Sequence, residues 1–232
     1  MSVLCEVDGE DILTVTLDDG DKNTLKPETF DALIAALDDH PQAVAVLLRG
    51  RDGIFSAGLD LHWMMDHGRD GVERLLIGFG TCLMRWWTDP RPTVCAATGH
   101  AIAAGSMLGM ACDHAVATEG GFWGLTETRV GLEVPDFGIA LARANLPADR
   151  LEDLLIPGER VDAATAVAAG FADVLSPDQD TTVSLARERV EALATLPARA
   201  YAGTKRRLRG TAAEEVMAGL EDDISVLTAH LT

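Results

Sequence analysis

Apolar and polar positions along the chain follow two different periods. Short apolar runs bounded by Gly, Pro or Asp predict strands, and they are ILTVTL, AVAVLLRG, TVCAATG, HAVAT and ADVL. Between them, segments with apolar residues three and four positions apart predict helices, and they are PETFDALIAALDDH, GVERLLIGFGTCLMRWW, GSMLGMACD and DAATAVAAG. This alternation predicts an α/β fold.

The strand patterns stop at about Pro177. After it, TTVSLARERVEALATL and AAEEVMAGLEDDISVLTAHL are typical of amphipathic helices. We therefore predict an α/β core over residues 1–176 and a helical C-terminal region over residues 177–232, which packs on the core or on a neighbouring subunit.

Composition limits the class of protein. With 232 residues, 47% of them hydrophobic, the chain is long enough to bury a core as one domain. No apolar run reaches the ~18 residues that a membrane span needs, and MSVLCEVDGEDILTVTL lacks the features of a signal or transit peptide. We expect a cytoplasmic protein that does not contact membranes. Because the four cysteines form no CxxC pair and lie in apolar stretches, they predict buried reduced thiols and no metal site.

The charge balance argues against nucleic acid as a partner. The formal net charge of −18 repels phosphate backbones over most of the surface. Concentrated positive charge occurs in KRRLRG near the C-terminus. This segment is either a solvated helix face or a local patch that meets an anionic small molecule.

Two stretches share one pattern, in which a strand gives way to a helix through small residues. They are FSAGLDL and HAIAAGSMLGMACD. The first amides of a helix lack intrahelical partners, so two such turns facing each other can hold a developing oxyanion. Neither stretch matches a phosphate loop or a dinucleotide-binding fingerprint. Close packing of strand on helix is the alternative reading of the small residues.

Together with GLTETRVGLEVP, these stretches resemble the crotonase (enoyl-CoA hydratase/isomerase) superfamily in order and spacing, over roughly residues 5–210. FSAGLDL and GLTETRVG are most similar to the Δ3,Δ2-enoyl-CoA isomerases. The resemblance implies a crotonase-like spiral of strand-turn-helix units, a homotrimer or dimer of trimers, an acyl-CoA substrate, and no cofactor beyond the CoA of that substrate.

The resemblance also implies the roles of particular residues. The amides of Ala57 and Ala104 correspond to the oxyanion hole, although the family's second donor is usually glycine, and Glu127 corresponds to the catalytic acid/base. Met107 stands where hydratases place a second glutamate, so an isomerase that needs only one carboxylate is favoured. The remaining substrate-binding candidates are Lys22, Phe55, Ser56, Gly58, Asp60, Leu61 and Gly105.

Several further residues carry weaker expectations. Glu133 and Asp136 follow Glu127 across a turn and either supply a second acid or serve the turn, with Asp136 capping the helix FGIALARANL. Arg49, Arg51 or Lys205 from a neighbouring subunit are candidates for the CoA phosphates. The candidates for lining the acyl pocket lie in one helical region, and they are Met64, Met65, Phe79, Trp86 and Trp87.

Three other functions stay open at this point. An enoyl-CoA hydratase or another crotonase reaction would use Glu133 or Asp136 as the second acid. A non-catalytic acyl-CoA-binding homologue is compatible with Ala104 and Met107. A serine hydrolase would need Ser106 beside His100 or His114, but no GxSxG motif is present.

Overall fold

Twelve strands and eight helices are formed within residues 3–231, the part of the chain that the computed structural model describes. The strands are β1 (Val3–Val7), β2 (Ile12–Leu17), β3 (Thr24–Leu25), β4 (Ala45–Arg49), β5 (Gly53–Ser56), β6 (Gly58–Leu59), β7 (Thr93–Ala97), β8 (Gly99–Ile102), β9 (His114–Thr118), β10 (Phe122–Gly124), β11 (Val161–Asp162) and β12 (Val174–Ser176). The helices are α1 (Pro27–Asp38), α2 (Leu61–Trp87), α3 (Ala104–Ala111), α4 (Asp136–Asn145), α5 (Leu151–Leu155), α6 (Ala163–Ala169), α7 (Gln179–Ala194) and α8 (Ala198–Leu227).

The strands build two main sheets in parallel passes of the chain. The six-stranded sheet has the order β1-β2-β4-β7-β9-β12 and the four-stranded sheet the order β11-β10-β8-β5. Each of three successive passes adds one strand to each sheet: β4 then β5, β7 then β8, and β9 then β10. The pairs β4–β7, β7–β9, β5–β8 and β8–β10 are all parallel. This repetition is the crotonase-like spiral, and it confirms the predicted α/β class.

The strand-turn-helix unit of the sequence prediction needs one correction. The segments read as turns after AVAVLLRG and TVCAATG contain β5 and β8, so the repeating unit is strand-strand-helix. These second strands are only four residues long, and each pairs with a strand from another pass of the chain. Local hydrophobic patterning does not reveal such pairing, because register depends on a partner far away in sequence.

Helices cover both faces of the six-stranded sheet. On one face, Ile12, Leu47 and Val116 pack against Ala186 and Val190 of α7. On the other face lies the larger cluster, to which α1, α2, α3 and α4 contribute. Strands β4 and β7 are apolar on both sides because both faces are covered, as is usual for parallel sheets.

Helix α2 is longer than its pattern predicted and is broken near its start. It begins at Leu61, and Gly68 interrupts it with φ 59° and ψ −165°. Asp60 caps the helix, since its carboxylate accepts the Trp63 amide at 2.9 Å. The first turns of α2 therefore directly follow β6, on which part of the candidate site is built.

Helix α8 is held against the core of the same chain by a polar node around Asp113, which follows α3. One oxygen of Asp113 accepts from Tyr201 at 2.7 Å and pairs with Lys205 at 2.6 Å, and the other accepts from Arg209 at 2.7 Å. Lys205 also donates to the carbonyls of Asp89 and Arg91, at 2.8 and 2.7 Å. The first half of α8 is thereby fixed beside the edge of the core.

The predicted buried thiols are confirmed for Cys82, Cys95 and Cys112, whereas Cys5 is exposed. Cys5 lies on β1, the edge strand of the larger sheet, where Leu4, Cys5 and Glu6 are all exposed. Among the helices of residues 3–231, we find none that combines the length and apolarity of a membrane span.

Candidate active site

Two turns meet where the spiral brings β6 beside the start of α3. A Cβ atom built on Gly58 would lie 3.6 Å from the amide nitrogen of Ala104 and 2.9 Å from the carbonyl oxygen of Ile102. A Cβ atom on Gly105 would lie 2.6 Å from the carbonyl oxygen of Ser56. Glycine at positions 58 and 105 is therefore what lets the two turns touch, and it brings FSAGL and AAG together as the sequence predicted.

The first turn is fixed by Ser56 and Asn23. The Ser56 hydroxyl donates to the Asn23 carbonyl at 2.7 Å and accepts the Gly58 amide at 3.1 Å. Asn23 is buried, adopts φ 50°, and donates through its side chain to the carbonyls of Leu17 and Phe55, at 2.8 and 3.1 Å. Sequence analysis did not single out Asn23, although Asn is the residue type that tolerates this backbone conformation.

The prediction of Ala57 as an oxyanion donor conflicts with this geometry. Its amide donates to the carbonyl of Lys22 at 3.0 Å and is therefore already paired. The Asp60 amide is paired as well, with the carbonyl of Leu25 at 3.1 Å. Leu59 lies opposite Leu25 in the parallel β3–β6 register. Because Leu25 accepts from Asp60, the alternation of a parallel ladder turns the Leu59 amide away from β3.

The second turn carries backbone strain. Ala103 precedes α3 with φ 52° and ψ −117°, a conformation that costs a residue with a Cβ on the order of 1 kcal/mol or more. Its amide donates to the Gly124 carbonyl at 2.8 Å, and its carbonyl accepts the Met107 amide at 3.1 Å. Hydrogen bonds thus fix the backbone of Ala103 at both its amide and its carbonyl group. This backbone presents the Ala104 amide at the start of α3, where the helix dipole favours negative charge.

Glu127 lies at the start of a short 3-10 turn, Glu127–Val130, that follows β10. The residue is only 8% exposed, and its Oε2 atom has no hydrogen-bond partner among the described residues. Burial raises the pKa of Glu127 to about 7. A buried oxygen without a donor is costly to the fold, and a buried carboxyl group with a raised pKa at a cavity is a candidate functional group.

A small cavity brings these parts together. It has a volume of about 30 Å³, which is room for about two water molecules. Leu59, Ala104, Met107 and Glu127 all line it, together with apolar side chains from α2, α4 and the end of α8. The structure thus places Glu127, Ala104 and Met107 around one space. Met107 packs against the backbone of Gly138, where an added Cβ would meet its methyl group at 2.8 Å.

Of the two further acids, Glu133 contributes to the cavity lining and Asp136 does not belong to it. Asp136 is the first residue of α4, and its side chain forms no cap there. The prediction that Asp136 caps this helix is therefore wrong, because the capping carboxylate comes from Asp223 of α8, which accepts the Asp136 amide at 2.9 Å. Burial, with the charges of Asp136 and Glu133, raises the pKa of Asp223.

Several substrate-binding candidates have structural roles here. Phe55 is fully buried in the core, and Asp60 caps α2 while pairing with Lys26 at 3.3 Å. Lys22 is exposed beside the first turn, and Leu61 is 45% exposed at the start of α2. The side chains of Lys22 and Leu61 are therefore open to a ligand, while those of Phe55 and Asp60 are engaged in the fold.

The cationic candidates for CoA phosphates are paired within the chain. Arg49 lies 3.7 Å from Asp52, and Arg51 lies 3.5 Å from Asp18. Lys205 is buried in the Asp113 node and is not a solvated cation. The pKa of Lys205 lies below its ordinary value because burial lowers it by more than the charge of Asp113 raises it.

The apolar candidates divide between cavity, core and surface. Phe79 lines the cavity, as predicted. Met64, Trp86 and Trp87 belong to the main core cluster, and Met65 is 72% exposed. Neighbouring positions along a helix face different surroundings, so a single helical stretch does not define one pocket wall.

The serine-hydrolase arrangement is not formed. The Ser106 hydroxyl donates to the Ala101 carbonyl at 2.6 Å and accepts the Gly124 amide at 2.9 Å. His100 accepts the Phe122 amide at 3.1 Å, and His114 lies 3.3 Å from Asp173. Ser106 therefore serves to join β8 to β10 and is not activated by either histidine.

The sequence pattern of the enoyl-CoA hydratase/isomerase family matches residues 8–231. The chain belongs to this family. Among curated relatives, it is 34% identical over 181 residues to a putative enoyl-CoA hydratase of Thermus thermophilus, covering 75% of this chain and 71% of that protein. It is 28% identical over 189 residues to enoyl-CoA delta isomerase 3 of Arabidopsis thaliana, covering 75% and 79% of the two chains.

Solved structures of the family agree with the fold. An enoyl-CoA isomerase of Mycobacterium tuberculosis superposes with a TM-score of 0.90 at 30% identity, covering 97% of this chain and 98% of that chain. The same mycobacterial protein also bears the name probable enoyl-CoA hydratase. Membership of the family therefore does not decide between the two reactions, and the choice depends on the geometry of this site.

Proposed function

We propose that this protein is an enoyl-CoA isomerase, which converts a 3-enoyl-CoA thioester into the 2-enoyl-CoA. The observation that carries this proposal is that, among the described residues that line the cavity, Glu127 is the one buried carboxyl group. Its Oε2 atom has no partner in that part of the chain, and Ala104 and the apolar Met107 line the same space. Proton transfer between two carbons needs one base that can also return the proton.

The proposed reaction moves one proton and one double bond. Ionised Glu127 takes the proton from C2, the electron pair of the broken C–H bond enters a dienolate, and negative charge collects on the thioester oxygen. Protonated Glu127 then donates the proton to C4, and the double bond lies between C2 and C3. The elevated pKa of Glu127 suits both steps, because the group is a stronger base than an ordinary carboxylate and becomes a usable acid afterwards.

We propose the amides of Leu59 and Ala104 as the donors to the thioester oxygen. Both residues line the cavity, and the contact of Gly58 with the Ala104 amide holds the two turns together. Leu59 replaces Ala57 in this role because the Ala57 amide is paired with Lys22. Removing one comparable donor costs other enzymes about 3 kcal/mol of transition-state stabilisation.

Hydration is the second candidate, since Glu133 also lines the cavity. Hydration requires a carboxylate that orients water in addition to one that handles the proton. Glu133 is exposed, whereas Glu127 is enclosed, and the charge of Glu133 helps to raise the pKa of Asp223. Met107, by contrast, is an enclosed neighbour of Ala104 that has no group able to orient water.

Product mass separates the two reactions. We expect a purified 3-hexenoyl-CoA sample to be converted to 2-hexenoyl-CoA of unchanged mass, with no accumulation of a product heavier by one water. Glu133→Gln should leave the rate of isomerisation within about twofold of that of the unmutated protein. In a hydratase, the same substitution would remove the proposed second acid and lower the rate of hydration. Efficient formation of 3-hydroxyhexanoyl-CoA by the unmutated protein would overturn the isomerase proposal.

The oligomeric state and the cellular location stay predictions. We propose a homotrimer or a dimer of trimers without metal or redox cofactor, in the cytoplasm, on the family resemblance stated above. Sedimentation equilibrium of the purified protein tests the assembly, and a monomer at micromolar concentration would contradict it.

A further inference from the structure

The end of α8 closes one wall of the cavity. Leu227, Thr228 and Leu231 all line it, opposite Phe79 and Leu76 of α2. Thr228 is 1% exposed, so the last turn of the helix is inserted between neighbours and does not lie on the surface. In contrast, the adjacent Val226 is 75% exposed and points away.

Polar contacts fix this wall on the α2 side. The Thr228 hydroxyl lies 2.7 Å from Oε1 of Glu73, which also accepts from Arg69 at 2.8 Å. Arg69 reaches back to the carbonyl of Ser225 at 3.4 Å. The end of α8 is thus tied to α2 one residue beyond the break at Gly68.

A second contact fixes the wall on the α4 side. Asp223 accepts the amide of Asp136, the first residue of α4, at 2.9 Å. Helices α2 and α4 both contribute to the cavity, so α8 bridges two of its walls. Together with the Asp113 node at the other end of α8, these contacts hold Leu227 and Leu231 in place against the space that receives the acyl group.

We infer that Leu227 and Leu231 set the length of acyl chain that the site accepts, and that its substrates are short-chain acyl thioesters. The inference rests on the proposed function, because it takes the cavity at Glu127 as the acyl site. The cavity at Glu127 measures about 30 Å³ in all, so it leaves little room for carbon atoms beyond those that react at Glu127. A longer chain must displace a leucine that is held by α2 and α4.

Binding of saturated acyl-CoA thioesters tests this without requiring any reaction. We expect calorimetry to show affinity rising to about six carbons and falling at ten and twelve carbons. Leu231→Ala, and separately Leu227→Ala, should bind the ten-carbon thioester about tenfold more tightly than the unmutated protein does, on the scale by which a hydrophobic pocket discriminates a missing or added group. Val226→Ala is the matched control and should leave the profile unchanged.

Two results would overturn the inference. One is equal or tighter binding of the twelve-carbon than of the six-carbon thioester by the unmutated protein. The other is a Leu231→Ala profile that matches the unmutated one in a protein whose circular dichroism is native. Leu227 and Leu231 are both only partly buried, so each alanine variant remains informative if the other unfolds.

The same data separate this inference from the proposed function. A length limit in binding, without isomerisation, would leave the inference standing and remove the isomerase. Isomerisation at equal efficiency on six and twelve carbons would do the reverse. Failure to bind a thioester of any length would overturn both.

Discussion

Asp113 and Glu127 are two largely buried carboxyl groups with opposite surroundings. Asp113 receives donors from Tyr201, Lys205 and Arg209 at 2.6–2.7 Å, whereas one oxygen of Glu127 has no partner in the described part of the chain. The first group has been satisfied by the fold and stabilises it. The second is left without a partner at a cavity, where it costs stability, and in the proposed function it is the base that acts on the substrate.

The largest effect should come from removing the satisfied group. Asp113→Ala leaves buried Lys205 without its counter-charge, so we expect a loss of about 3–5 kcal/mol in the free energy of unfolding. Urea denaturation followed by circular dichroism measures it. A loss below 1 kcal/mol would mean that the node does not anchor α8.

In contrast to Asp113, ionised Glu127 should destabilise the folded protein, because burial makes its ionisation unfavourable. Its pKa is about 7 in the folded protein, while an unfolded glutamate titrates near 4.5. Between these values the folded state binds more protons, so stability is lost as the pH rises from about 4.5 to 7, by about 3 kcal/mol in total.

The matched variant for this pH test is Glu127→Gln, which cannot ionise. The difference in unfolding free energy between the two proteins should shift by about 3 kcal/mol in favour of the variant between pH 4 and pH 8. Parallel stability curves for the two proteins would show that Glu127 is not perturbed by burial.

Substitutions of the two carboxyl groups should affect activity in the opposite order to stability, with the larger loss of activity at Glu127. Glu127→Gln should lower the turnover of 3-hexenoyl-CoA by about 100-fold or more, the scale of a general base, corresponding to about 3 kcal/mol. In folded Asp113→Asn, kcat should stay within about threefold. Equal losses in both variants would mean that Glu127 acts through the fold and not on the substrate.

The smallest effect concerns strain, which the candidate site contains at Ala103. Because φ there is 52°, Ala103→Gly should raise the free energy of unfolding by up to about 1 kcal/mol. Ala57→Gly is the control, since Ala57 has no positive φ and glycine there should only lose stability. A loss of stability at position 103 equal to that at position 57 would contradict the assignment of strain.

Much of the fold could be predicted from the sequence because it follows from local patterning. ILTVTL and HAVAT coincide with the bounds of β2 and β9. The strands β5 and β8 were missed because their pairing is between distant segments and their sequences are short and rich in small residues. Helix α8 also begins earlier than the pattern AAEEVMAGLEDDISVLTAHL indicated, since its first half is stabilised by tertiary contacts.

The candidate site shows the same difference between what local sequence predicts and what depends on tertiary contacts. Motif position was sufficient to select Ala104, Met107 and Glu127 as candidate site residues, and all three line one cavity. It was insufficient for Ala57, because the availability of an amide depends on which carbonyl lies opposite, and here that is Lys22. No local signal identifies Leu227 or Leu231, since their place in the cavity lining, and so their proposed role, depends on where α8 ends in space.

The ring stack at the start of α2 provides an optical signal. Trp86, Trp87 and Trp123 are buried, so they should emit at short wavelength in the folded state and dominate the change on unfolding. Trp63 is different: it is partly exposed and stacks on His67, with ring centroids 3.8 Å apart and planes 9° from parallel. It lies four residues after Leu59, so we expect its fluorescence to report, without any label, a ligand that binds at the proposed site.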